Sequence, residues 1–146
     1  DFYCAIASSF MLSADNAHAV HPHHPQKTDA TNCVYMNEGI VVKSHAGQKY
    51  TSDAVSVAVF KDLCKKANVP VQFFANRSDE AGGSTLGNIA MAQVSMNSVD
   101  IGLPQLAMHS TYETAGIKDT YYMIQVMTEF FNSHISEVNS HSLKVD

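Results

Sequence analysis

At 146 residues and 45% apolar composition, the chain is long enough for one domain with a real core and is no disordered tail. Its net charge of −5, with nine lysines and arginines in no long run, argues against nucleic acid or an acidic membrane surface as the partner. No apolar stretch approaches the roughly 20 residues of a membrane-spanning helix.

The opening Asp1-Phe-Tyr-Cys-Ala-Ile lacks the basic segment of a secretion signal. The first residue is not Met and lies at the edge of an apolar run, so the chain is expected to be a piece of a longer polypeptide. Cys4, Cys33 and Cys64 form no CxxC pair and read as reduced thiols of a cytoplasmic protein, with Cys4 and Cys64 filling the core. In that compartment the formal glycosylation sequon Asn76-Arg77-Ser78 carries no meaning.

Ser9 to Ala14 is apolar and bounded by polar residues, the mark of a short buried strand. His21 to Glu38 is rich in Pro, His, Asn, Asp and Thr and reads as a long loop of the kind that often carries function. Its His21, His23 and His24 lie among prolines, which predicts a solvated turn rather than a metal cluster; His45, His134 and His141 read as surface residues. Gly39 to Lys43 is a β-branched run and a predicted strand.

Asp53 to Ala67 is the clearest helix. Val55, Val59 and Leu63 form one stripe with Phe60, Cys64 and Ala67 beside it, while Lys61, Asp62, Lys65 and Lys66 face outward. Thr51 or Ser52 can cap its start, and Asn68 and Pro70 stop it. Val71 to Ala75 predicts a strand, Ser84 to Val94 a helix entered through Gly82-Gly83, and Ser98 to Gly102 another strand. Asp119 to about Ile135 is an amphipathic helix, and the polar residues 136–146 are expected to fray. Strands alternating with helices imply an α/β fold, a mainly parallel sheet flanked by helices.

In such a sheet, sites form beyond the carboxyl ends of the strands. Asp15 follows the first strand, Lys43 closes the second, Asp79 and Gly82-Gly83-Ser84 follow the third, and His109 comes after the fourth. The polar candidates are therefore expected along one edge of the sheet. Gly82-Gly83-Ser84-Thr85 lacks the lysine and spacing of a phosphate-binding loop and reads as close backbone approach.

Several words of the sequence, in order, resemble signatures of the aspartyl aminopeptidase family of zinc metallopeptidases. They are Ser13-Ala-Asp-Asn-Ala-His-Ala-Val-His-Pro22, Gly39-Ile-Val-Val-Lys43 with Tyr50 downstream, Asp79 with Gly83-Ser-Thr-Leu-Gly87, and Val99-Asp-Ile-Gly-Leu-Pro-Gln-Leu-Ala-Met-His-Ser110. The resemblance runs from about Ser9 to Phe131.

It implies an α/β aminopeptidase fold and a pair of zinc ions that activate water to cut the N-terminal residue, an acidic one included, from a peptide. By that resemblance Asp15 is a carboxylate ligand of one zinc and His109 an imidazole ligand of the other. Asp15 and His18 border the bound substrate, and His18 can hydrogen-bond a developing oxyanion. Lys43 and Tyr50 contact the substrate, the lysine suiting an acidic side chain. The family's other ligands and its general base have no counterpart here. Glu38, Glu80, Glu113, Glu129 and Glu137 stand isolated, and none occupies the general-base position.

The chain is therefore expected to be the C-terminal part of a catalytic domain, incomplete without upstream strands and inactive alone. Relatives assemble into homo-oligomers, so either self-association or a complementing N-terminal segment is expected. The competing expectations are a non-catalytic structural or assembly module and a dizinc hydrolase of non-peptide amides.

Overall fold

The computed structural model describes residues 1–139 and 142–146. In chain order the elements are α1 (Phe2–Ala7), β1 (Phe10–Ala14), β2 (Ala17–His18), a 3-10 turn at Pro25–Lys27, β3 (Ile40–Ser44), α2 (Ala54–Lys66), β4 (Val71–Ala75) and α3 (Leu86–Met91). They continue with β5 (Asn97–Gly102), β6 (Pro104–Leu106), β7 (Thr114–Ala115), α4 (Ile117–Asn132), β8 (Ile135–Asn139) and β9 (Ser142–Val145). Among the described residues no helix is long and apolar enough to cross a membrane.

The central sheet has the order β1-β5-β3-β4. Its outer pairs, β1 with β5 and β3 with β4, are parallel, as expected of strand-helix-strand units. The middle pair is antiparallel, Val41 facing Gly102 and Val42 facing Ile101. The sheet is thus mixed, and the carboxyl ends of β1 and β5 lie opposite those of β3 and β4. The single row of strand ends expected from the sequence does not exist, and something else must gather the polar groups.

Alternation along the strands sorts the core into two faces. Ile40 and Val42 of β3, Val99 and Ile101 of β5, and Val59, Phe60, Leu63 and Cys64 of α2 form the main cluster together with Val126. Burying each such side chain contributes about 1.5–3 kcal/mol. The opposite face carries Val41 and Phe74, packed with Ala17, Val34 and Tyr50. Lys43 of β3 and Asp100 of β5 are charged yet buried as well.

Helix α2 begins with a reciprocal cap: the Ser56 N–H donates to the Asp53 carboxylate (2.8 Å) and the Asp53 N–H donates to Ser56 Oγ (3.1 Å). Asp53 therefore caps the helix in place of Thr51 or Ser52, whose hydroxyls turn to Asp100. Helix α4 is locked to the approach of β3. The Asp119 carboxylate accepts the N–H groups of Asn37 (2.5 Å) and Gly39 (3.0 Å), and Asn37 Oδ1 accepts that of Lys118 (3.0 Å). Gly39 has φ 118°, and a Cβ there would come 2.2 Å from the Pro70 carbonyl oxygen, so only glycine fits.

Residues expected to fray form the antiparallel hairpin of β8 and β9, with Leu143 and Val145 packed on the main core. The apolar residues at alternate positions outweigh the polar average of this segment. His45, expected at the surface, is half-buried with its ring edge-on to Tyr50 at 5.7 Å. Cys4, expected in the core, is exposed on α1, a helix with no buried residue. His141 lies outside the described residues.

A thiol reagent near neutral pH should modify Cys4 first, whereas Cys64, whose thiol burial pushes up to about 12, should react only on unfolding. Rapid labelling of Cys64 in the folded chain would contradict this packing.

Candidate functional site

Asp15 is placed by a close crossing. Its N–H donates to the Ile101 carbonyl (3.0 Å), which carries the β1–β5 pairing one residue past the strand. The chain then passes over Gly102 so tightly that a Cβ there would come 1.9 Å from the Asp15 carbonyl oxygen. Beyond the break the pairing resumes as β2 with β6, and the Asn16 side chain fills the gap by accepting the Leu103 N–H (3.3 Å) and donating to Gln105 Oε1. The Asp15 side chain stays 54% exposed.

Lys43 lies on the same face of the sheet. Its Nζ sits 3.5 Å from Asp15 Oδ2, 3.4 Å from the Asn16 carbonyl oxygen and 5.1 Å above the Tyr50 ring. The lysine is only 2% exposed. Burial depresses its pKa, opposed by the negative charges of Asp15 and Asp100. Burial likewise raises the Tyr50 phenol, helped by the charges of Asp100 and Asp15. The Tyr50 hydroxyl donates to Asn76 Oδ1 (3.2 Å).

Asp100, which sequence reasoning missed, is fully buried behind this group. Its carboxylate accepts the Ser13 hydroxyl (2.6 Å), the Thr51 N–H (2.6 Å) and the Thr51 hydroxyl (3.0 Å). Ser13 Oγ in turn accepts the Gly87 N–H at 3.1 Å. The carboxylate thus ties together β1, β5, the loop before α2 and the start of α3. The signal was present: a lone Asp in Val99-Asp-Ile101, where a buried charge demands partners.

His18 projects from β2 and His109 from a turn after β6. Both Ala107 (φ 56°) and His109 (φ 66°) adopt the left-handed backbone that side chains disfavour. The turn is held by the Ser110 N–H to Ala107 carbonyl bond (3.0 Å) and by the His109 N–H donating to Glu113 Oε1 (2.6 Å). The His18 imidazole has its pKa lowered, first by partial desolvation at the wall of a cleft, then by the nearby His109 and Lys43; Asp15 pulls the other way. His18 therefore shares one local field with Asp15, Lys43 and His109.

Asp79 does not join this group. It is exposed and ion-paired with Arg77. The glycine-rich loop packs against the wall of the site: a Cβ on Gly82 would meet Asn76 Nδ2 at 2.6 Å and His45 Nε2 at 3.0 Å. On the far side of His18 opens a cavity of about 600 Å³, bounded by the histidine-rich loop and by the end of β4.

Among the described residues no three histidine, cysteine or carboxylate side chains gather closely enough to hold a metal ion. Catalytic zinc takes three protein ligands. An exposed carboxylate and an exposed imidazole suit zinc in kind, but this chain's donors fall short in number. A site here requires ligands from outside it.

Comparison with known proteins gives one consistent result. The sequence model of a family described as Aminopeptidase I zinc metalloprotease (M18) matches residues 1–131. A probable M18 family aminopeptidase 2 of Clostridium novyi is 53% identical over 132 residues, 90% of this chain and 30% of the relative. Its counterpart in Clostridium acetobutylicum is 48% identical over 132 residues, with the same 90% and 30% coverage. Among solved structures, Ape4 from its complex with Nbr1 superposes with a TM-score of 0.87 at 37% identity, covering 89% of this chain and 25% of that one. The S. cerevisiae mApe1 dodecamer superposes with a TM-score of 0.79 at 26% identity, covering 90% and 28%. The chain spans about a third of the length of the curated relatives it matches.

The lowered His18 pKa sets a pH dependence. The unfolded imidazole protonates near 6.5 while the folded one resists, so His18 erodes stability as pH falls from about 6.5 toward the folded value. The decline in urea midpoint over that window should be shallower in His18→Gln, and an unchanged slope would contradict this environment for the ring.

Proposed function

Given that the chain belongs to the M18 family of zinc metalloproteases, we propose that it is the C-terminal part of an aminopeptidase catalytic domain that releases the N-terminal residue from peptides. The observation that carries this is the convergence of Asp15, His18, Lys43 and His109 in one field, with Tyr50 against the lysine. Asp15 and His109 would each supply one ligand to a zinc pair, and the remaining ligands and the general base would come from upstream sequence. The chemistry such a metal would supply, with the missing donors in place, is Lewis-acid polarisation of the scissile carbonyl and activation of water.

The chain's own groups divide the remaining work. His18, neutral at pH 7 because its pKa is lowered, donates a hydrogen bond to the oxygen of the scissile carbonyl. Lys43 is buried and already faces Asp15. Were a bound metal to take up the Asp15 charge, this ammonium would be left to favour an acidic N-terminal residue. Tyr50 orients that ammonium with its ring and borders the substrate. The reduced thiols favour a cytoplasmic setting, and the dodecamer of a structural relative supports self-association.

The shortage of metal donors supports a second reading, a non-catalytic module that keeps the fold. Peptidase assay and zinc content separate the two, measured on the chain alone and mixed with the upstream portion of an M18 relative. The chain alone should release no N-terminal residue, and the mixture should gain activity and zinc together. Asp15→Asn and His109→Ala should each lower that activity by more than about 100-fold. Turnover by the chain alone, or full activity in either variant, would overturn the ligand assignment. A mixture with no activity and no bound zinc supports the non-catalytic module.

A further inference from the structure

We propose, resting on the aminopeptidase reading, that the cleft beyond His18 receives the side chain of the residue following the scissile bond and selects a large apolar or aromatic one. The cavity of about 600 Å³ falls in the size range of small-ligand sites. His18 belongs both to this cleft and to the group of Asp15, Lys43 and His109, whereas Asp15, Lys43, Tyr50 and His109 do not line the cleft. An N-terminal residue held on the Lys43 side of His18 therefore leaves the cleft as the path of the peptide that follows it.

The lining decides what fits. Ala75 at the end of β4 and Ala81 line it with accessible apolar surface, over the nearly buried Phe74 and Ala19. The rings of His21 and His24 line it too, tilted by 38° with centroids 5.2 Å apart. The charged groups at the rim cancel or are already engaged. Arg77 bonds Asp79 and the Gln26 carbonyl, and Asp29 accepts hydrogen bonds from Thr31 and Asn32. Lys27 and Glu80 carry opposite signs. Without net charge to select by, the cleft discriminates through apolar contact area.

Titration of the isotopically labelled chain with Asp-Phe-amide and Asp-Gly-amide, followed by backbone NMR, tests this without turnover. The Phe peptide should bind about tenfold tighter or more and shift the amides of Ala19, Ala75 and Ala81. Ala81→Trp, in an exposed loop, should abolish that preference by filling the cleft. His24→Ala should weaken the Phe peptide alone, and His24→Phe should restore it. Equal affinities, or no shifts at those three amides with either peptide, would overturn the assignment. Failure of the zinc and peptidase assays with these binding results intact would instead overturn the aminopeptidase reading.

Discussion

A buried ammonium between two carboxylates organises this molecule. Lys43 lies on the sheet face with Asp15 at 3.5 Å and the ring of Tyr50 beneath it, while Asp100 adds negative charge from behind. An isolated charge in such a place costs on the order of several kcal/mol, so the lysine is tolerable only where the carboxylates and the ring are assembled around it. Asp100 is equally dependent. Its bonds from Ser13 and Thr51 offset its burial and bind β1, β5 and the entry to α2 into one unit. The polar face of the sheet and the packing of its helices are therefore parts of the same network.

The antiparallel seam between β3 and β5 explains how the site is gathered. With the strand ends on opposite sides, the antiparallel register sets Lys43 across from Asp100, and its long side chain reaches Asp15 at 3.5 Å. Asp15 meets it because the chain crosses Gly102 without a side chain in the way. His109 is held in a turn with two left-handed residues, a conformation that costs about 1–3 kcal/mol at each and persists only where surrounding contacts enforce it. A close crossing, a seam and a strained turn together do what a row of strand ends was expected to do.

Much of the local structure was legible. Helix α2 follows from its apolar stripe, its stop at Asn68 and its outward lysines. The strands at Phe10, Ile40, Val71 and Asn97 follow from short apolar runs, and the core alternates as β-branched strands should. Two of the misses were settled by partners distant in the chain. Thr51 was read as a cap but serves Asp100, far along the chain. The tail was read as frayed but finds a core to cover. Asp79 was grouped with the site by strand order and is paired with Arg77 instead.

The sequence alone determined the periodic elements, the apolar faces and the order of the words that match the M18 family, because these are set by residue type and spacing along the chain. Which strands run parallel, how Asp15 comes to face Lys43, and which histidines share its field were decided only by the tertiary structure. Those features depend on register and close approach between segments up to about ninety residues apart, and no local pattern encodes them.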